Sequence, residues 1–198
     1  MTKFLVIRHG QSEVTDRLSG RAPDIHLNRE GRKQAEDLSI MIEKYPLDYI
    51  ISSPIQRTIE TAEIIAARFN KAVIIDDSFI EIDFGEWTGL TWKELDQLKA
   101  WNYFNNFRSN TRIPGGELFT EVQSRMINGV KKLAYEYPGK TIAIVSHGDP
   151  IKALFMYFLG IPPDFILRFT ISNASLSILE INNSSVQIEG INIVSYPR

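Results

Sequence analysis

Short apolar runs alternate along this chain with longer segments in which apolar residues recur every three or four positions. The short runs are typical of buried strands, and the longer segments are typical of amphipathic helices that lie against a sheet. Their alternation predicts an α/β domain with a mostly parallel central sheet. The predicted strands are residues 3–9, 47–53, 71–76 and 141–147, and a closing hairpin is predicted from residues 174–181 and 185–195, with its turn at 182–185.

Capping residues predict where the helices begin and end. Asn28 is a candidate N-cap for the first helix, and Ser53 opens a Ser-Pro-Ile-Gln capping-box pattern at the second. Asp149, followed by a proline, is the candidate N-cap of the last helix, which Gly160 should end. The helical period of residues 117–137 predicts one further, long amphipathic helix.

The helical period is lost through residues 84–116, where six aromatic residues cluster. We expect short helices there, lying over one end of the sheet. Arg108 and Arg112 belong to the same stretch, which favours a ring-bearing or apolar ligand with a second anion. The alternative is that the aromatic residues form core, as clustered aromatic residues more often do. They are Trp87, Trp92, Trp101, Tyr103, Phe104 and Phe107.

The composition of the 198 residues narrows the class of protein. Hydrophobic residues make up 43% and charged residues 23%, which predicts one globular domain over residues 1–198. The net charge of −2 provides no basic field for nucleic acid or an anionic membrane. The absence of cysteine excludes disulfides, thiolate catalysis and cysteine-bound zinc. No apolar run reaches the roughly 20 residues of a membrane span, and none resembles a signal peptide, so we expect a cytoplasmic protein.

Two of the three histidines share one sequence context. His9 and His147 each end a predicted strand, and each is followed by a glycine that lets a ligand approach the backbone. Ligands of open α/β sheets bind beyond the carboxyl ends of the strands, so both imidazoles are candidates for one crevice. Either histidine alone could serve only to cap a loop. The pair indicates a functional site.

Arg57 is a third sign of a ligand. It lies in the first turn of the second predicted helix, where the positive end of the helix dipole disfavours a cation. A bound anion would remove that penalty, whereas an ion pair with Glu60 or Glu63 would be the structural alternative. Because Arg8 precedes His9, two guanidinium groups and two imidazoles are expected together. Such a group suits a phosphate dianion.

Six motifs follow one another along nearly the whole chain. They are RHGQSE at 8–13, LNREGRKQA at 27–35, SSPIQRTIETA at 52–62, EIDFGEWTG at 81–89, PGGE at 114–117 and SHGDPIKAL at 146–154. With them the sequence resembles the histidine phosphatase superfamily, also called the phosphoglycerate mutase-like family. A lone RHG would be a weak signal, but the ordered set is specific. The resemblance implies a three-layer αβα sandwich with a mostly parallel central sheet.

The resemblance further implies phosphoryl transfer through a covalent phosphohistidine, with neither a metal ion nor a cofactor. His9 matches the nucleophile and Glu81 the proton donor, which must hold its proton near neutral pH. Asp83 and Glu86 are alternative donors in the same loop, and only the motif favours Glu81. The residues expected to bind the substrate phosphate are Arg8, Thr15, Arg57, His147 and Gly148.

Four positions depart from the family pattern. Gln11 stands where Glu is common, Thr15 where Asn is common, Leu118 where Ser is frequent and Asp149 where Gly is usual. The Thr15 hydroxyl can still donate a hydrogen bond to a phosphate oxygen. The Asp149 carboxylate would lie close to a dianion, and its interpretation as an N-cap is favoured. These departures concern the substrate more than the chemistry.

The family contains both phosphatases and mutases. Only about 30 residues separate Glu81 from the PGGE motif, whereas the cofactor-dependent mutases carry a longer insert, so a phosphatase acting on a small phosphorylated metabolite is predicted. Residues 84–116 are then expected to form a lid. A mutase is the first alternative, and a non-catalytic protein that binds a phosphorylated ligand is the second. The oligomeric state stays open between monomer and homodimer.

Overall fold

One six-stranded sheet forms the centre of the molecule. The computed structural model describes residues 1–182 and 185–195, and its strands lie in the order β3-β2-β4-β1-β5-β6. The first four of these pair in parallel, whereas β5 pairs antiparallel with β1 and β6 antiparallel with β5. The strands are β1 (Thr2–Arg8), β2 (Tyr49–Ser52), β3 (Val73–Ile75), β4 (Thr141–Ser146), β5 (Leu176–Ile181) and β6 (Val186–Ile193).

Helices cover both faces of this sheet and give three layers. α1 and α2 pack on one face, and α5 and α6 pack on the other. Both the α/β class and the predicted αβα sandwich are therefore confirmed. The helices are α1 (Arg29–Met41), α2 (Gln56–Phe69), α3 (Trp92–Gln97), α4 (Lys99–Asn106), α5 (Phe119–Glu136) and α6 (Gly148–Leu159), with 3₁₀ turns at Asp77–Phe79, Gly85–Trp87 and Pro163–Arg168.

The apolar run at the start of β1 shows why the strand pattern is continuous rather than alternating. Phe4 and Val6 lie in the cluster formed with α5 and α6, and Leu5 and Ile7 lie in the cluster formed with α1 and α2. All four side chains are 0% exposed. A strand that is buried on both faces needs apolar residues at every position.

Two of the three predicted N-caps are wrong. α2 begins at Gln56 with no side-chain cap, and the Ser53 hydroxyl lies 2.8 Å from Nε2 of His147 instead. α6 begins at Gly148, and the Asp149 carboxylate accepts a hydrogen bond from Arg108 at 2.6 Å. In both cases a tertiary partner takes the side chain that the local pattern assigned to the helix. The third, Asn28, is confirmed because it accepts the backbone N–H of Gly31 at 2.7 Å.

The start of α1 also fixes the turn that follows β1. An added Cβ at Gly10 would lie 2.3 Å from the backbone oxygen of Gly31, and one at Gly31 would lie 2.0 Å from the backbone oxygen of Gln11. Both distances are far shorter than a van der Waals contact. Only glycine fits at either position, and the two backbones are in direct contact.

The C-terminal hairpin is confirmed as β5 and β6, and Gly160 ends α6 in the left-handed conformation with φ of 67°. The predicted turn at 182–185 includes residues 183 and 184, which lie outside the described residues. Within the described ranges, no helix is both long enough and apolar enough to cross a membrane.

Residues 84–116, hereafter the cap, form the short helices that were predicted. α3 and α4 lie here, and Trp87 and Phe104 are buried with Phe119 of α5 and Met156 of α6 in a third apolar cluster. Part of the aromatic group is therefore core. Trp92, Tyr103 and Phe107 keep exposed surface.

Candidate active site

A cleft of about 510 Å³ opens at the carboxyl ends of β1 and β4, below the cap. This volume is within the range of small-molecule sites. The structure brings six of the seven predicted site residues to its wall. These are Arg8, His9, Thr15, Arg57, Glu81 and Gly148. The seventh, His147, is fully buried and lies one contact behind the wall.

The His9 imidazole is held in one tautomer. Its Nδ1 lies 2.7 Å from the carbonyl oxygen of Gly10, which can only accept, so Nδ1 carries the proton. Nε2 then carries the lone pair of the ring, and it accepts a hydrogen bond from Nε of Arg57 at 3.2 Å. Burial lowers the pKa of His9 well below its ordinary value, and the charges of Arg57 and Arg8 lower it further. The imidazole is neutral and nucleophilic at neutral pH.

The Arg57 guanidinium links the two histidines. Besides His9, it contacts Nδ1 of His147 at 3.2 Å and donates to the carbonyl oxygen of Gly20 at 2.8 Å. Its side chain is 2% exposed, and within the described ranges its Nη1 has no hydrogen-bond partner. A buried donor of this kind at the start of α2 favours an anionic ligand.

Arg57 does not form the ion pair with Glu60 that was the structural alternative to a bound anion. The Glu60 carboxylate turns to the other side of α2, where it binds the ring of His26 and the guanidinium of Arg32. It also accepts the backbone N–H of Leu27 at 3.2 Å. This explains the third histidine of the chain as a structural group outside the cleft.

His147 is fixed from both sides of its ring. Nδ1 accepts from Arg57, so Nε2 carries the proton and donates to the Ser53 hydroxyl. Burial lowers the pKa of His147 well below its ordinary value, and Arg57 adds to the effect. A neutral His147 orients Arg57 rather than adding a charge of its own.

Glu81 is the only one of the three candidate proton donors that lines the cleft. Its Oε2 lies 4.0 Å from Arg57 and 3.7 Å from Nδ1 of His147. Burial raises the pKa of Glu81 to about 7, and the charge of Asp149 adds to the rise while Arg57 opposes it. Asp83 turns away and accepts the backbone N–H of Gly85 at 2.9 Å. The geometry thus agrees with the motif in favouring Glu81.

The backbone of Glu81 is held by a clamp that the sequence did not reveal. Its carbonyl oxygen accepts from Nε of Arg21 at 2.8 Å and from Nη2 of Arg125 at 3.1 Å. Glu117 pairs with both arginines, at 2.9 and 3.1 Å, and accepts the backbone N–H of Asp83 at 2.9 Å. The signal in the sequence was Glu117, the last residue of the PGGE motif. Its partners become visible only in three dimensions.

The cap supplies the opposite wall of the cleft. Phe84, Trp92 and Trp101 line it, and Nε1 of Trp92 donates to the carbonyl oxygen of Thr15 at 2.8 Å. Of the two predicted arginines, Arg108 lines the cleft, whereas Arg112 pairs with Glu121 on the protein surface.

A charged group on α6 completes this wall. Asp149 and Lys152 both line the cleft, and Asp149 is paired with Arg108. Burial raises the pKa of Asp149, but the charges of Arg108 and Lys152 outweigh burial and bring it below its ordinary value. Lys152 was not among the predicted site residues, although it lies in the SHGDPIKAL motif. In the described part of the chain, no three His, Cys, Asp or Glu side chains are grouped to hold a metal ion.

Comparisons with known proteins match nearly the whole chain. The family model of the histidine phosphatase superfamily (branch 1) matches residues 4–194. Phosphoserine phosphatase 1 of Hydrogenobacter thermophilus is 31% identical over 204 residues, which cover 99% of this chain and 94% of that protein. The structure of YhfR from Bacillus stearothermophilus superposes with a TM-score of 0.91 at 28% identity, covering 98% of each chain.

Other relatives differ in length or in name. A bifunctional protein of Mycobacterium tuberculosis is 34% identical over 184 residues, which cover 90% of this chain, and the chain spans only 50% of its length. A protein of Thermoplasma acidophilum named 2,3-bisphosphoglycerate-dependent phosphoglycerate mutase is 29% identical over 182 residues, covering 89% of this chain and 86% of that protein. Phosphatases and mutases are thus both among the similar proteins.

Proposed function

This chain belongs to the histidine phosphatase superfamily, and from that membership and the site geometry we propose that it hydrolyses small phosphomonoesters through a phosphohistidine on His9, without a metal ion. The observation that carries the proposal is the orientation of the His9 ring: Nδ1–H donates to the Gly10 carbonyl, so the lone pair lies on Nε2, where it accepts from Arg57 in the cleft. A neutral nucleophile beside a buried cation suits attack on a phosphate dianion.

The phosphate is bound by the cationic end of the cleft. Arg8 and Arg57 line the cleft together with His9, and the Nη1 of Arg57, which has no partner in the described ranges, is available to a phosphoryl oxygen. Gly148 lies next to Arg8, since an added Cβ there would be in van der Waals contact with the guanidinium at 3.5 Å. These charges stabilise the equatorial oxygens as the phosphoryl group moves.

In the first chemical step, Nε2 of His9 forms a bond to phosphorus while the bond from phosphorus to the ester oxygen breaks. The electron pair of the broken bond goes to the leaving oxygen, which takes the proton of Glu81. The products are a phosphohistidine, an alcohol and an ionised Glu81. A pKa of about 7 keeps a large fraction of Glu81 protonated at neutral pH, as a general acid requires.

In the second step, a water molecule attacks phosphorus and gives its proton to the Glu81 carboxylate. The bond from phosphorus to Nε2 breaks, and its electron pair returns to the imidazole. Phosphate leaves, and His9 and Glu81 are restored. The same carboxyl group serves as acid and then as base, because its pKa lies near the working pH.

The substrate class follows from the size of the cleft and from the relatives. A volume of about 510 Å³ suits a small metabolite, and a relative named phosphoserine phosphatase acts, by its name, on such a compound. A mutase is the second candidate, because a relative carries that name. A mutase must protect the phosphohistidine from water, for which the short helices of the cap are poorly suited.

The proposal is tested by a screen of phosphomonoesters with EDTA present throughout, followed by rapid quenching with ³²P-labelled substrate. We expect turnover in EDTA and a phosphoenzyme that is stable to base and labile to acid, with the label on His9. Activity lost in EDTA and restored by a divalent ion would contradict metal independence. Interconversion of 2- and 3-phosphoglycerate faster than phosphate release would favour the mutase.

A further inference from the structure

Lys152 is a cation that the proposed chemistry does not use. It lies on α6 one turn beyond Gly148 and lines the same cleft. Within residues 1–182 and 185–195, its ammonium group forms no hydrogen bond or ion pair, and it lies 5.7 Å from the centre of the Phe169 ring. Burial lowers the pKa of Lys152, which shows that its charge is poorly solvated.

The other cations of the cleft are already engaged. Arg8 donates to the carbonyl oxygen of Ile171 at 2.6 Å, and Arg57 donates to His9 at 3.2 Å. Arg17 pairs with Asp16 at 3.0 Å, and Arg108 pairs with Asp149 at 2.6 Å. The guanidinium of Arg108 also donates to Asn105 at 2.7 Å and lies over the ring of Phe104. Among the described residues, the buried Nε of Arg108 has no hydrogen-bond partner, but Lys152 is the cation on this wall that forms no ion pair, and it is the one that a substrate group could bind.

The charges on this wall also indicate what kind of group fits. Arg108 and Lys152 carry two positive charges, and Asp149 supplies one negative charge between them. The excess is a single positive charge. It matches a monoanion such as a carboxylate better than a second phosphate dianion, which would bring uncompensated negative charge next to Asp149.

We propose that the leaving group of the substrate carries a carboxylate and that Lys152 binds it while the phosphate lies against His9. This assignment rests on the proposed phosphatase function. Gly148 and Lys152 are four residues apart on one helix face, a separation of about 6 Å. Both residues line one small cleft, so a substrate in which a short carbon chain joins the phosphate to the carboxylate fits the proposal.

The first test measures binding and needs no turnover. Calorimetry compares 3-phosphonopropionate with propylphosphonate, which has a methyl group in place of the carboxylate and, like its partner, cannot be hydrolysed. We expect the wild-type protein to bind the acid about 10-fold or more tightly, the range of a charge-assisted hydrogen bond. Lys152→Met should erase this preference and leave the affinity for propylphosphonate unchanged.

Two further variants sharpen the test. Lys152→Arg keeps the charge and should keep the preference, and Lys132→Met removes an exposed lysine of α5 outside the cleft and should behave as wild type. If Lys152 only balanced Asp149, Lys152→Met would weaken both phosphonates alike. Such a uniform loss, a wild-type protein without the preference, or a wild-type protein that binds neither phosphonate at millimolar concentration would overturn the assignment.

Turnover separates this assignment from the proposed function. O-phosphoserine and phosphoethanolamine differ by one carboxylate, and we expect kcat/KM to favour phosphoserine about 10-fold in the wild type but not in Lys152→Met. Equal hydrolysis of both by the wild type would overturn the role of Lys152 and leave the phosphatase intact. A protein that prefers 3-phosphonopropionate but hydrolyses neither ester would keep the role of Lys152 and contradict the phosphatase function.

Discussion

The two ends of the cleft are built in different ways. At the end formed by β1 and β4, Arg57 and His147 are almost completely buried, and main-chain or side-chain partners hold both histidine rings. At the other end, Trp92 is 45% exposed and stands on a helix of six residues. Helices this short are marginal on their own. The reaction end is thus preorganised by the sheet, whereas the cap end depends on weaker local structure.

This difference assigns a distinct role to each end. Residues fixed by the sheet should affect the chemistry of every substrate, and residues of the cap and of the wall it faces should affect which substrate is accepted. Substitutions at the two ends test this division. The expected effects decrease from the nucleophile outward to the cap.

The largest effect is expected at His9. His9→Ala removes the atom that forms the bond to phosphorus, so kcat/KM should fall by about 10⁴-fold or more for every phosphomonoester. Rapid quenching should then trap no phosphoenzyme. The thermal midpoint of the variant, compared with that of the wild type, shows whether the fold is retained. A folded and fully active His9→Ala protein would refute the mechanism.

Glu81→Gln should separate substrates by their leaving group. An alkyl phosphate needs its departing oxygen protonated, so its kcat/KM should fall by ~10²–10⁴-fold, the range of general acid catalysis. p-Nitrophenolate leaves without help, so p-nitrophenyl phosphate should be affected much less. Arg57→Ala should slow both substrates alike. If Asp83→Asn shows the leaving-group effect instead, the proton donor is Asp83.

The protonated and ionised states of Glu81 determine how activity depends on pH. The raised pKa of Glu81 means that the protonated donor is lost as pH rises through about 7. Above that pH, kcat/KM for an alkyl phosphate should fall about tenfold per unit, because the substrate, with its own pKa near 6, is already a dianion. p-Nitrophenyl phosphate should lack this alkaline limb. The lowered pKa of His9 keeps the nucleophile neutral throughout this range.

A smaller effect is expected from the clamp beneath Glu81. Arg125→Met removes donors to the carbonyl oxygens of Ile80 and Glu81, so the carboxyl group should lose its alignment. Alkyl phosphate turnover should fall about 10-fold to 100-fold, with little change for p-nitrophenyl phosphate. Arg112→Met removes a comparable ion pair on the surface and is the matched control. Equal loss on both substrates would reduce Arg125 to a structural role.

The smallest effect is expected at the cap. Trp92→Phe keeps a ring in the wall but removes the hydrogen bond to the carbonyl oxygen of Thr15. For a half-exposed bond we expect KM to change about two- to threefold, with kcat unchanged. Steady-state kinetics with several leaving groups would show it. A large fall in kcat would mean that the cap takes part in the chemistry and that the two ends are not separate.

The sequence predicted most of the reaction end because its residues follow from strand positions. A buried strand that ends in a histidine can be recognised from the apolar run before it, and His9 and His147 both meet that description. The predictions of Ser53 and Asp149 as helix N-caps are wrong for a physical reason. A hydroxyl or carboxylate at a helix start has a local partner, but His147 and Arg108 offered better ones from distant parts of the chain.

The cap could not be predicted in the same detail. Arg108 and Arg112 are four residues apart in a segment without a period, and nothing local shows that one lines the cleft while the other pairs with Glu121. Lys152 was missed because its position in an amphipathic helix is typical of a solvated lysine. Its place in the cleft beside Asp149 and Arg108 is visible only in three dimensions.

The contact between Gly10 and Gly31 limits how the protein can evolve. Because the atoms in the way belong to the backbone, no rotamer change could make room for even a methyl group at either position. Mutation therefore has no gradual route by which to reshape the turn that carries the nucleophile. Activity on new substrates would have to arise from substitutions in the cap and at Asp149 and Lys152 of α6, where side chains can be exchanged one at a time. Libraries of variants made to alter substrate specificity should target these positions.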